Sequence, residues 1–341
     1  MTLSSLDRHV SALTQDAIYA TRVEVAVRSG SSEWFLNSGQ GWAGSTSHPG
    51  PKFWELFCLA KPFVAFAVLA AAKRAGLDAT VPLATMHARF SQFDDRLSLS
   101  TIVSHSSGLQ GPSALSWMCT PAALRPGFES LDQLEPGQHA YSEVGGAMVL
   151  AAWTQIVLGV SLASVLRSEL LDPAGVAPEV LLDADSAAEC APDAIQYIVS
   201  GLPVESVPML HLAHPHYRAR LGSEFSGLAT TSGYLTALKY CLDHGRSGAD
   251  QLSHDLFGAE SAPRHDSTWQ RETAFRGPFL SEACGSADGL WVLSALTGSF
   301  VFVDLDTELC LVAMLNGGDL GPEDARALRT ELVAAVQEDL R

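Results

Sequence analysis

Strand-like patterns lie near the two ends of this chain, and the sequence between them is mostly helix-like. Val23, Val25 and Val27 alternate with polar residues, which predicts a half-buried strand. Near the other end, the apolar runs 300–303 and 309–315 flank a short acidic segment, which predicts a hairpin. Strands this far apart in sequence can share one antiparallel sheet if the middle of the chain is inserted as a separate lobe.

Helical patterns accompany both groups of strands. Apolar spacing predicts helices from about Ser5 to Ala20 and from Phe57 to Gly76, and a final amphipathic helix that begins near Pro322. We therefore expect an α/β (α+β) fold in which an antiparallel sheet is flanked by helices. The expected division is a sheet domain and a mostly helical lobe with a ligand cleft between them. Their ranges are 1–77 with 221–341 for the sheet domain, and 78–220 for the lobe.

One uncharged segment, 144–166, is long enough to cross a membrane. It contains polar residues, however, and Gly159 interrupts it. Two buried helices joined near Gly159, with Ser161 capping the second, fit this sequence better.

Composition excludes several classes of function. The 341 residues carry 21 Lys and Arg against 38 Asp and Glu, a formal net charge of -17. Such a charge repels phosphate backbones and anionic lipids, so we expect neither nucleic-acid nor membrane partners. The N-terminus lacks a basic region followed by an apolar stretch, so a cytoplasmic location is expected. None of the six cysteines forms a Cys-x-x-Cys pair, and buried free thiols are the default.

Cys58 and Lys61 form the most informative pair. They are three residues apart and share one face of a helix. The positive end of the helix dipole and a neighbouring ammonium group both favour a thiolate, the nucleophilic form of cysteine. Taken alone, the pair is a weak signal, and an inert buried thiol beside a solvated lysine is the more common explanation.

Three further segments could line a cleft, although each is also an ordinary structural feature in isolation. His105 lies in a tight polar turn that ends at Gly108, and Tyr141 lies where a loop enters a helix. Ser294 and Leu296 come just before the strand that begins at Phe300. A strand edge there can offer a backbone N–H to an oxyanion.

Together these segments resemble the serine β-lactamase and penicillin-binding-protein superfamily, especially its class C β-lactamase and esterase branch. That family has a Ser-x-x-Lys nucleophile motif, a Tyr-x-Asn motif, and a strand triplet containing Lys or His. Its other recurring segments are similar to five stretches of this chain in the same order. They are His105-Ser106-Ser107-Gly108-Leu109, Glu135-Pro136-Gly137, Tyr141-Ser142-Glu143, the 226–231 segment and the 297–316 hairpin.

The departures from the family pattern concern chemistry. Cys58 stands where the family has its nucleophilic Ser, and Glu143 stands where it has Asn. The triplet reads Leu293-Ser294-Ala295 and lacks the cation that holds a β-lactam carboxylate, which argues against β-lactam hydrolysis or peptidoglycan work. A thioester on cysteine reacts readily with amines, while water competes poorly, which favours transfer of an acyl group to an amine.

The resemblance implies a mechanism and a set of roles. Cys58 attacks an ester or thioester, Lys61 and Tyr141 move protons, and the N–H groups of Cys58 and Leu296 hold the oxyanion. Glu143 receives the amine. The implied partners are a small-molecule acyl donor and an amine acceptor, with no cofactor and no ATP.

The chain is also similar to the transacylases that exchange a methyl ester for an amide in capuramycin-type antibiotics, so antibiotic biosynthesis is the expected context. The alternatives are a cysteine-dependent esterase or amidase and a non-catalytic binding protein on the same fold. His211, His214 and His216 carry ligand-like side chains, but Pro215 breaks the segment and no acidic or cysteine cluster completes a site. No metal site is therefore expected.

Overall fold

A computed structural model shows how these patterns are assembled. The structure describes residues 2–15, 20, 22–39, 53–103, 107–112, 126–134, 144–190, 195–196, 199–200, 207–208, 227–247, 290–295, 298–304, 307–317 and 322–341. The strands are β1 Arg22–Ser29, β2 Ser32–Gly39, β3 Phe53–Glu55, β4 Leu109–Gln110, β5 Asp132–Gln133, β6 Val180–Leu181, β7 Ile195–Gln196, β8 Val199–Ser200, β9 Val207–Pro208, β10 Leu228–Ala229, β11 Leu290–Ser294, β12 Phe300–Asp304 and β13 Leu309–Leu315. The helices are α1 Ser4–Gln15, α2 Lys61–Arg74, α3 Leu83–Met86, α4 Leu99–Val103, α5 Gly145–Trp153, α6 Leu162–Leu166, α7 Asp172–Ala174, α8 Ala184–Glu189, α9 Thr231–Ser247 and α10 Pro322–Leu340.

The main sheet joins the two ends of the chain, as the strand patterns predict. Its order is β11-β12-β13-β1-β2, and every neighbouring pair is antiparallel. In the centre, Val25 of β1 lies opposite Ala313 on β13 and opposite Leu36 on β2. The predicted α/β class and the flanking helices are thus confirmed.

Each face of this sheet buries a separate apolar cluster, because successive side chains of a strand point to opposite faces. One cluster combines the three alternating valines of β1 with α1 and α10. The other combines Ala26 with α2 and α9. Helix α2 is apolar on nearly all sides, since only its ends carry charge, and this agrees with its position inside the second cluster.

The two terminal helices are also joined by a cap. The carboxylate of Asp339 on α10 accepts hydrogen bonds from the backbone N–H groups of Ser5 and Leu6, both at 2.9 Å. These N–H groups have no partner within their own helix. The end of the chain therefore stabilises the start of its first helix.

The uncharged segment 144–166 forms two helical pieces, as predicted. Gly159 ends the first with a φ of +71°, and the Ser161 side chain caps the second by accepting from Ser164 N at 3.1 Å. In the part of the chain that the structure describes, no single helix is long and apolar enough to span a membrane. Only the pair Gly145–Leu158 and Leu162–Ala174, bent by 87°, reaches that length and apolar character together.

A second, smaller sheet was not predicted. Its order is β6-β10-β3-β7, and its strands have only two or three residues. Strands this short give no readable alternation, so the sequence between 78 and 220 reads as helices and loops. This sheet matters for function because β3 leads directly into the segment that carries Cys58. The predicted boundaries of the helical lobe stay a prediction.

Candidate active site

Cys58 and Lys61 face each other at the start of a buried helix. Residues Phe57–Ala60 form a 3₁₀ turn that continues into α2 without a break. The Lys61 Nζ lies 3.8 Å from the Cys58 Sγ, and Cys58 is 9% exposed while Lys61 is partly exposed. The predicted pairing across three residues is thus observed in the structure, with the thiol just inside the surface.

The backbone around Cys58 is that of a helix start. The thiol lies at the N-terminal end of the helical segment, where the helix dipole is positive and the first N–H groups lack partners within the helix. There is no acidic residue in the first turn of α2. The Lys61 side chain lies 3.8 Å from the thiol, so a nucleophilic atom and a group able to exchange protons with it stand together.

Phe57, immediately before Cys58, has a φ of +45°. A bulky residue in this left-handed region costs about 1–3 kcal/mol and persists only where surrounding contacts hold it. Nothing in the local sequence predicts this conformation, since glycine or asparagine is the usual occupant of such a position. The strained residue turns the chain sharply between β3 and α2, and it is this turn that presents the thiol.

The chain just before the turn is anchored by β10. Leu56 N donates to Gly227 O at 2.9 Å, and Leu228 of β10 lies opposite Glu55 of β3. Gly227 has no room for a side chain, because a Cβ there would lie 2.7 Å from Leu181 O. The 226–231 segment, chosen for its resemblance to a family motif, therefore adjoins the candidate nucleophile through its described residues.

Strand β11 packs against the same turn. Ser294 is the last residue of β11 and lies opposite Phe300 of β12. The chain then reverses through Gly298, with Ala295 N donating to Ser299 O at 2.8 Å. Leu296, the predicted oxyanion residue, lies outside the described residues.

His105, Tyr141 and Glu143 also lie outside the described residues, but the elements that flank them are described. Helix α4 ends two residues before His105, and α5 begins two residues after Glu143. These two helices pack together, and α5 also packs on α2. The roles of these three residues stay predictions.

The other described cysteines differ from Cys58 in their surroundings. Burial raises the pKa of the Cys310 thiol to about 12, and burial also raises the pKa of Cys241. Neither forms appreciable thiolate near neutral pH. Cys190 is partly exposed. Cys119 and Cys284 lie outside the described residues, as do His211, His214 and His216; within the described ranges no group of three or more His, Cys, Asp or Glu side chains could hold a metal ion.

Glu55 is a buried acid that the sequence did not single out. It is 3% exposed, and neither carboxylate oxygen has a hydrogen-bond partner among the residues described. Its neighbour Trp54 donates to Glu24 on β1, so alternation along the strand turns Glu55 to the opposite side of β3. Burial raises the pKa of Glu55 well above its usual range, so the folded protein favours the neutral acid.

Glu55→Gln should therefore make stability less sensitive to pH. The unfolded chain releases the Glu55 proton near pH 4–5, whereas the folded protein keeps it to a higher pH. The stabilisation that neutral Glu55 contributes is therefore fully present below the pKa that Glu55 has in the unfolded chain. It is lost as the pH rises toward the higher pKa that Glu55 has in the folded protein. Between these two pKa values the free energy of unfolding falls by up to about 1.4 kcal/mol per pH unit.

Urea unfolding at pH 5, 6, 7 and 8 measures this effect. The stability advantage of Glu55→Gln over the wild type should grow with pH, while Glu33→Gln, which alters an exposed glutamate of β2, should follow the wild type. Parallel curves for Glu55→Gln and the wild type would show that Glu55 is charged in the folded protein.

The fold agrees with comparisons to known proteins. The Beta-lactamase family profile matches residues 16–336. D-amino acid amidase from Ochrobactrum anthropi, in complex with L-phenylalanine amide, has a similar structure, with a TM-score of 0.70, 15% identity and coverage of 99% of both chains. EstCE1, a hydrolase with promiscuous acyltransferase activity, has a TM-score of 0.69 and 14% identity, with 98% of both chains covered. A simvastatin synthase mutant from Aspergillus terreus has a TM-score of 0.68 and 10% identity, and the match covers 98% of this chain and 94% of that one.

The chain therefore belongs to the β-lactamase family, as the motif resemblance predicted. No curated protein sequence matched it. At these identities the structural likenesses show the fold alone. Two expectations stay predictions: that Cys58 replaces the family's serine, and that the chain is similar to capuramycin-type transacylases.

Proposed function

We propose that this protein is an acyltransferase that passes an acyl group from an ester or thioester to an amine through an acyl-Cys58 intermediate. The observation that supports it most directly is the 3.8 Å separation of Cys58 Sγ and Lys61 Nζ at the start of a buried helix. In this family the same place holds a serine nucleophile and its lysine. A thiol in that position changes which acceptor attacks the intermediate.

The proposed reaction has two steps. In the first, Sγ of Cys58 bonds to the acyl carbonyl carbon, the bond to the donor's alcohol or thiol breaks, and the thiol proton passes through Lys61 to that leaving group. In the second, the amine nitrogen bonds to the same carbon, the C–S bond breaks, and the amine proton returns to Cys58. No oxidant, metal or nucleotide is needed for this balance.

The remaining roles belong to the same proposal. The backbone N–H groups of Cys58 and Leu296 hold the oxyanion, Tyr141 assists proton transfer, and Glu143 receives the ammonium group of the acceptor. His105 and Ser294 shape the pocket. The position of β11 beside the Cys58 turn supports the oxyanion assignment, because that strand leads directly to Leu296.

A second candidate is a cysteine-dependent amidase or esterase. The structural likeness to a D-amino acid amidase and to EstCE1, which is a hydrolase, supports it as much as it supports transfer. Both candidates share the acyl-Cys58 intermediate. They differ only in whether an amine or water releases the acyl group. We place either activity in the cytoplasm and, for transfer, in antibiotic biosynthesis.

The two candidates separate in a partition experiment. The protein is incubated with a panel of methyl and thiol esters, with and without a primary amine at millimolar concentration, and the amide and acid are quantified by mass spectrometry. An acyltransferase should give at least about tenfold more amide than acid, since an acyl-thiol intermediate discriminates in favour of amines. Acid released at a rate indifferent to the amine would establish the hydrolase instead.

A further inference from the structure

Tyr234 reaches the Cys58 turn from helix α9, far along the chain. Its side chain is fully buried, and its hydroxyl donates a hydrogen bond of 2.9 Å to the backbone carbonyl of Leu59. Leu59 lies between Cys58 and Lys61. The Tyr234 ring also packs against Phe63, one turn further along α2, with ring centroids 4.6 Å apart. This tyrosine therefore holds the backbone on which both reactive side chains stand.

The backbone is held by a hydrogen bond on each side of Cys58, and we call these two bonds the anchors. On the preceding side, Leu56 N donates to Gly227 O at 2.9 Å. On the following side, Tyr234 holds Leu59 O. Both anchors come from one stretch of chain, 227–247, which contains β10 and α9. Between them lies the strained φ of Phe57, a conformation that survives only where neighbouring contacts over-determine it.

We propose that Tyr234 is a positioning residue for the nucleophile, whose hydroxyl fixes the Leu59 peptide and with it the approach of Cys58 Sγ to Lys61 Nζ. The inference rests on the proposed function for its effect on catalysis. Its effect on the thiol itself does not depend on any substrate. Tyr234 touches neither reacting atoms nor substrate in this role.

The chemistry of the phenol suits this task. Burial raises the pKa of Tyr234 well above its usual range, so the hydroxyl stays protonated and remains a donor throughout the pH range in which a cysteine thiolate is studied. A rigid ring fixed by packing on Phe63 also holds the hydroxyl in one place.

Tyr234→Phe tests the proposal, because it removes one oxygen and keeps the ring that packs on Phe63. The matched control is Tyr240→Phe on the same helix, whose ring contacts Phe66 and stacks on His244. The first readout is the rate of Cys58 alkylation by iodoacetamide on the folded protein between pH 6 and 9, followed by mass spectrometry. Alkylation of the partly exposed Cys190 serves as the internal standard.

We expect Tyr234→Phe to slow alkylation of Cys58 about tenfold at the low end of the pH profile and less at pH 9, because a displaced Lys61 assists thiolate formation less and the thiolate is the reactive form. Tyr240→Phe and the Cys190 rate should stay at wild-type values. In the acyl-transfer assay kcat should fall by a similar factor while the KM for the acyl donor is unchanged. A lower melting temperature with an unchanged Cys58 rate would overturn the proposal, because it would show a structural role only.

The two proposals fail in different ways. If Tyr234→Phe slows alkylation of Cys58 but no ester in the panel is turned over by the wild type, the positioning role stands and the proposed function does not. If acyl transfer is found and Tyr234→Phe matches the wild type in both readouts, the proposed function stands and the positioning role does not.

Discussion

Cys58→Ala should abolish acyl transfer, lowering kcat/KM by at least about a thousandfold. The proposed reaction passes through a covalent bond to Cys58 Sγ, and alanine offers no atom that can form it. The loss is measured by amide formation from the best ester and amine of the partition experiment. Trapped intermediate should disappear at the same time, seen as loss of the acyl mass on the peptide that contains residue 58.

The matched control is Cys190→Ala, which removes a partly exposed thiol and should retain wild-type activity. Cys58→Ser is the more informative companion, because it restores the oxygen nucleophile that is usual in the family. Its acyl intermediate is an ester, which discriminates less between amine and water, so the product ratio should shift from amide toward acid. Full activity in Cys58→Ala would remove the covalent mechanism altogether.

Lys61→Met should lower kcat/KM about a hundredfold or more, the range expected for loss of a positioned proton-transfer group. The Nζ lies 3.8 Å from the Cys58 Sγ, close enough to exchange a proton with the thiol. Methionine keeps much of the lysine stem and its packing while removing the charge. Alkylation of Cys58 at pH 7 should slow in parallel, because the group proposed to take the thiol proton is absent.

Lys73→Met supplies the control for this prediction. Lys73 is an exposed lysine at the other end of α2, more than two turns from the thiol. Lys73→Met removes the same single positive charge as Lys61→Met, but at a position away from Cys58. If Lys61→Met and Lys73→Met slow the reaction by the same small factor, the effect is one of overall charge, and Lys61 has no direct part in the proton transfer.

Much of the fold was readable in the sequence because its signals are local. The alternation of Val23, Val25 and Val27 follows from the two-residue period of a strand with one buried face. The break at Gly159 and the cap at Ser161 follow from backbone geometry that few other residues adopt. The three-residue spacing of Cys58 and Lys61 was likewise enough to predict their contact, since it places both on one helix face.

Other parts of the site could not be read because their causes are distant in sequence. The burial of Glu55 depends on its place in the small sheet with β10, whose strands are too short to show a pattern. The positive φ of Phe57 is imposed by contacts on both sides of the turn, and it cannot be predicted from the presence of a phenylalanine. Tyr234 sits 175 positions after the carbonyl it holds.

The sequence by itself determined the elements and the reactive pair: strands at both ends, a buried helix after residue 57, and a thiol one turn from a lysine. The tertiary structure alone decided how that pair is presented. It brings β10, β11 and α9 against one short turn, in which Phe57 has a positive φ and the Leu59 carbonyl accepts from the Tyr234 hydroxyl. The physical reason is that periodicity and capping act within a few residues, whereas burial and orientation are set by neighbours that only folding brings together.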